Sequence, residues 1–214
     1  QVVLDASTTA VDICRAFEHS SARYIALRPV DADPDRTGWL SPLTAQCARA
    51  NVGAAGPLVT SSDGRLVSAG RVHHPAVIDL FQGIDADNHG PWGAFLVRRE
   101  VASVSPLGAV FDRSATLEVG GFDLAAMLGD RDPVVEPEVD PDALVDITVA
   151  VLCTKLRLAG LSTIWTPQSR LTLPPSALFT DQQLAERRRV FRYIAGVFPQ
   201  LAEDPYSPIG VHRI

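Results

Sequence analysis

VGAAGPLVTSSDGRLVSAG, residues 52–70, carries the reading on which the fold turns. The apolar run 52–60 predicts a strand, SSDG at 61–64 a turn with glycine in its usual position, and 66–72 a strand pairing back as a hairpin. Working upstream, 39–50 is a helix with Leu40, Leu43, Cys47 and Ala50 at helical spacing. RYIAL at 23–27 is a strand, 10–22 a helix with Val11, Cys14 and Phe17 on one face, and QVVLD at 1–5 a short strand. Strand, helix, strand, helix, strand at these intervals points to an α/β sheet with parallel strands.

Downstream, 94–105 and 108–111 are strand candidates. An acidic loop at 129–140 separates them from the next helix; its prolines and carboxylates suggest an exposed segment or contact surface. Asp140 before Pro141 is a good helix start, an N-cap followed by the favoured first-turn proline. That helix should run through 144–158 and stop near Gly160; being apolar nearly all round from Ala143 to Cys153, it should be buried. LSTIWT at 161–166 is a strand. A last helix over 181–198 places Leu184, Phe191, Ile194 and Phe198 on one side and Arg187, Arg188 and Arg189 partly on the other.

Composition narrows the function classes. The 214 residues are 46% hydrophobic and 21% charged, with a formal net charge of -6. Enough apolar surface exists to offset chain entropy, so disorder is excluded as the main state. The acidic balance argues against a partner held through nucleic-acid phosphates. No apolar run approaches the roughly 20 residues needed to span a bilayer, and no signal peptide opens the chain. Cys14, Cys47 and Cys153 lie far apart without a CxxC pair, which fits a reducing cytoplasm better than a disulfide framework or zinc knuckle. The chain opens on Gln1, so it is expected to be part of something longer.

Among chemical motifs, Asp31 and Asp33 follow an apolar strand. Two carboxylates one residue apart at a strand end can hold a divalent cation, which in turn binds a diphosphate. A solvated acidic turn beside Pro34 is the competing reading, and a second DAD at 85–87 with no strand before it shows how weak the motif is alone. His73, His74 and His89 match no metal-ligand spacing. No GxSxG, P-loop or GxGxxG occurs, and GG at 120–121 reads as a tight turn before Phe122.

Several segments together resemble a family 2 glycosyltransferase with the GT-A fold. Residues 52–70 look like the family's "VGAVGPxLLxPDGxIxxAG". LVRREVASVSPLGAVFDRSATLEVGGFD (96–123) is similar to its strand, "R-R" segment and "VGGFDE" turn; KLRLAGLSTIWTPQSRLTL (155–173) resembles "RLRxAGYRIVWTPxARxxH". EDPYSPIG (203–210) is similar to a "DPYYNPN" tail, and RYIALRPVDADPDRTGWL (23–40) resembles the strand and metal loop before a "WL" helix. The resemblance implies one domain over 1–214 with a mostly parallel GT-A-like sheet flanked by helices and an antiparallel addition. It also implies a nucleotide-sugar donor, a glycan or lipid-linked acceptor, Mn or Mg bridging the diphosphate, and a carboxylate base for inverting transfer.

Residue by residue, the equipment is reduced. Asp31 aligns with the last aspartate of the metal motif, and Asp33 joins it only after a shift of two residues. The "Glu-Asp-x-Asp" positions fall on Thr148, Val149 and Val151, none of which accepts a proton, leaving Asp146 or Asp142 as a substitute base. The family's histidine falls on Leu173, and the small residues of its donor-site strand on Pro106 and Leu107. Residues 1–7 align with the family's third strand, so two strands of the nucleotide-binding half are absent. An edge exposed this way favours a protein partner or self-association. Two expectations follow. One is a cytoplasmic glycosyltransferase-like domain, at the inner face of the membrane if it acts there, with reduced or lost catalysis; its active version would keep Asp31 and Asp33 as metal ligands and Asp146 as a substitute base. The other is a non-catalytic scaffold or regulatory partner.

Overall fold

In the computed structural model, residues 2–5, 8–34, 38–129, 139–175 and 180–206 are described. The acidic loop expected at 129–140 lies, but for its ends, outside the described residues, as does the tail beyond 206. Ten strands and six α-helices follow in chain order: β1 (Val2–Leu4), α1 (Ala10–His19), β2 (Tyr24–Pro29), β3 (Asp33–Pro34), α2 (Leu40–Cys47), β4 (Val52–Ser61), β5 (Leu66–Ser68), β6 (Arg71–Val72), β7 (Ile78–Asp79), β8 (Arg99–Glu100), β9 (Ala109–Asp112), α3 (Arg113–Glu118), α4 (Leu124–Leu128), α5 (Pro141–Leu158), β10 (Ser162–Leu173) and α6 (Asp181–Val197).

The large sheet has the order β1-β2-β9-β4-β10-β3, with β5 on β4 and β8 on β10. β1 pairs β2 in parallel and β4 pairs β10 in parallel. β9 runs antiparallel to both β2 and β4, so β1, β2, β4 and β10 all point the same way around one reversed strand. The expected α/β architecture of a sheet flanked by helices forms, as a mixed sheet. Among the described residues β1–β2 and β4–β10 are its parallel pairings, and the antiparallel strand β9 stands at its centre rather than as an addition.

Alternation along the central strands divides the core. Ile25 and Leu27 of β2, Ala54 and Leu58 of β4, and Ala109 and Phe111 of β9 meet α1 and α5 in one cluster. Ala26, Ala55 and Val110, the residues between them, meet Leu43 and Cys47 of α2 on the opposite face. A sheet covered on both faces needs apolar residues at every position, and β4 is buried throughout.

Space along β4 is tight. A Cβ on Gly56 would stand 2.6 Å from Val104 Cγ1 and 2.8 Å from Val104 Cβ. Gly56→Ala is expected to destabilise by about 1–3 kcal/mol through overpacking, read as a lower urea midpoint with an unchanged slope.

Helix starts follow their caps. Thr9 and Asp12 form a capping box on α1, and the Asp140 side chain accepts from Asp142 N–H at 3.0 Å ahead of Pro141 on α5. Gly120 and Gly121 take φ of 112° and 71° in the turn before Phe122, as the GG dipeptide required.

Two spans come out differently. Of 94–105, only β8 is a strand; Val101, Ala102 and Val104 are apolar because they enter the core from irregular backbone. Residues 66–72 pair back on β4 only through β5, and β6 leaves the large sheet to pair with β7.

Candidate functional site

The C-terminal ends of the parallel strands β1 and β2 open onto a cleft of about 430 Å³. Asp5 and Thr8 follow β1, Pro29 ends β2, and Val30 and Asp31 continue from it. Asp142 and Val145 come from the first turns of α5, Pro106 and Leu107 from the approach to β9, and Arg187 from α6. One side of the chemistry is thus three carboxylates, a hydroxyl and a guanidinium; the other is apolar.

Asp31 lies on this cleft. Asp33 does not line it: its backbone is drawn into β3, opposite Thr172 of β10, at the far edge of the sheet. Ala32 between them is buried beneath Val59, Val67 and Leu173, while both aspartates are exposed. Among the described residues no three His, Cys, Asp or Glu side chains gather where a cation would sit. Of the expected Asp31 and Asp33 pair, Asp31 lines the cleft and Asp33 does not.

Asp146 sits one turn further along α5 than Asp142 and is 2% exposed. Its Oδ1 forms ion pairs with Arg71 Nη1 at 2.7 Å and Arg187 Nη1 at 2.8 Å. Arg71, wholly buried, holds Asp79 with both Nε (2.9 Å) and Nη2 (3.1 Å). That fork follows from register, because Arg71 and Asp79 stand opposite each other in the β6–β7 pair. Burial opposes the charge of Arg71, but Asp146 and Asp79 outweigh it and hold the guanidinium above its usual value.

The result is a buried chain of alternating charge, Asp79, Arg71, Asp146 and Arg187, whose last member reaches the cleft wall. Arg187 was expected on a partly solvated helix face; its side chain is only 10% exposed. The residues aligned with the family's acids behave as packing. Thr148 donates its hydroxyl to the Leu144 carbonyl at 2.7 Å, and Val149 and Val151 are wholly buried. Asp5 and Arg187 were missed as cleft residues because each belongs to an element remote in sequence from Asp31.

No family model matches the chain. The uncharacterized protein y4gI of Sinorhizobium fredii is 25% identical over 185 residues, covering 83% of this chain and 18% of that protein. Among solved structures, the mannosyltransferase PcManGT from Pyrobaculum calidifontis, in complex with GDP-Man and Mn2+, aligns with a TM-score of 0.50 at 16% identity. That alignment covers 95% of this chain and 46% of the mannosyltransferase. This chain therefore spans about a fifth of the curated relative and under half of the solved one. No helix among the described residues is long and apolar enough to cross a membrane. At this level of identity the likeness is one of fold: the chain has a glycosyltransferase-like α/β architecture.

Proposed function

We propose that this chain is a glycosyltransferase-like domain that has lost sugar transfer of its own and serves as a non-catalytic partner, within its own polypeptide or beside another chain. The observation that carries this reading is the state of Asp146. A general base must reach the proton it takes, with a lone pair to accept it. Asp146 is buried and spends its charge on Arg71 and Arg187, so its role is to join α5 to β6 and α6. The separation of Asp31 from Asp33 supports the same conclusion for metal binding.

A second reading rests on the cleft itself. Asp31 and Asp142 line it together with Arg187, and a donor diphosphate with its own cation could be met there by Asp31, with Asp142 as base. If bound, Mn or Mg would supply charge neutralisation to the leaving diphosphate. In that reading Asp31 holds the ligand, Asp142 takes the acceptor proton, and Pro106 and Leu107 exclude water.

Thermal unfolding with UDP- and GDP-sugars, with and without Mn2+, separates the two. A ligand present at about 100 times its dissociation constant stabilises by roughly 2.7 kcal/mol. The non-catalytic reading expects no metal-dependent shift with any donor. A shift that requires Mn2+ and disappears in Asp31→Ala would overturn it.

A further inference from the structure

The stretch 199–206, which follows α6, is fastened to the body by side chains of several elements. Arg157 of α5 donates Nη2 to the Glu203 carbonyl at 3.0 Å and, more weakly, to the Gln200 carbonyl at 3.4 Å. Tyr206 donates its hydroxyl to Glu100 Oε2 of β8 at 2.8 Å; burial and that carboxylate push the phenol up to about 12, so it stays a donor. Leu201 is wholly buried. The remaining clasp is His73, whose backbone N–H donates to Asp204 Oδ2 at 2.7 Å.

The His73 ring lies underneath. It is 2% exposed, with Nε2 2.7 Å from Ser103 Oγ and the Leu201 carbonyl as a further partner. Burial, reinforced by the charges of Arg71 and Arg157, pushes the ring down to about 3. Asp204 meets its backbone rather than its ring.

We infer that 199–206 is a latch that opens as one unit while the sheet stays folded, and that His73 beneath it makes the opening acid-sensitive. The sign follows from linkage. Opening restores the ring to water and an ordinary value near 6.5, so the open form binds a proton the closed form does not. Closure is fully favoured above about pH 6.5 and weakens as pH falls toward about 3. The opening constant rises up to about tenfold per pH unit across that window. This inference stands apart from whether the cleft binds any ligand.

Amide hydrogen exchange by NMR, corrected for intrinsic rates, reads the opening directly. Leu201, Ala202 and Tyr206 amides should exchange with a lower opening free energy than Ala55 and Val110 in the sheet, and with the stated pH slope. His73→Gln should flatten that slope, whereas Asp204→Asn should raise the opening constant at every pH and keep it. Strap amides that exchange only with the sheet would overturn the separate latch. A slope that is absent in the wild type, or that persists in His73→Gln, would overturn the role of His73.

Discussion

Arg71→Met is expected to cost about 3–5 kcal/mol of folding stability, because it leaves carboxylates buried without their counter-charge. Asp79 would lose both hydrogen bonds to the guanidinium, at 2.9 and 3.1 Å, and Asp146 would keep only Arg187. Neither acid can turn to water: their side chains are 4% and 3% exposed. Such a pair is expensive to break and nearly neutral to replace as a whole, which supplies the control. Converting Asp79 and Asp146 to leucine and Arg187 to methionine in the Arg71→Met background should recover most of the loss. Chemical denaturation of the three proteins tests this, and a cost below about 1 kcal/mol for Arg71→Met would mean that water reaches the acids. Arg71→Lys should fall between, keeping the charge but losing the fork on Asp79.

Trp165→Ala should be comparably damaging, at about 3–5 kcal/mol, by the large-to-small rule for a buried aromatic. Trp165 is wholly buried on β10 and stands in register with Gly56 of β4. Its ring also carries the Arg99 guanidinium at 4.2 Å, over a site where Arg99 donates to the Ala94 and Ala69 carbonyls. Losing the ring therefore empties the core and removes the platform that orients the loop before β8. Trp165→Phe should cost much less, since the indole N–H finds no acceptor among the described residues. Equal losses for Ala and Phe would show that shape at this position matters more than volume.

How much of this was legible in the sequence depends on the range of the interaction. β4 and α5 were readable because their causes are local: an unbroken apolar run, and a proline placed directly after a capping aspartate. The segment 94–105 misled because apolar residues needed for burial look the same whether or not their backbone joins a ladder. Asp31 was legible as a carboxylate at a strand end. Arg187 was not, because one arginine in a run of three is singled out only when α6 docks against Asp146. The same holds for Arg71 and Asp79, whose meaning depends on a two-residue strand pair that no periodicity announces. Asp33 shows the reverse, a motif whose residues are adjacent in sequence but assigned to different places by β10.

The reversed strand β9, wedged between β2 and β4, also dictates an order of events as the chain folds. β2 and β4 are both complete by residue 61, yet they have no edge in common and cannot form the centre of the sheet together. They must wait for residues 109–112, and β4 must wait longer still for β10 to close its other side. Loop-closure entropy is thus spent before most native contacts return it, which makes this a slow-folding topology. Until residues 109–112 emerge during synthesis, β2 and β4 stand as two apolar strands without their shared partner, so the nascent chain is most vulnerable to aggregation in that interval.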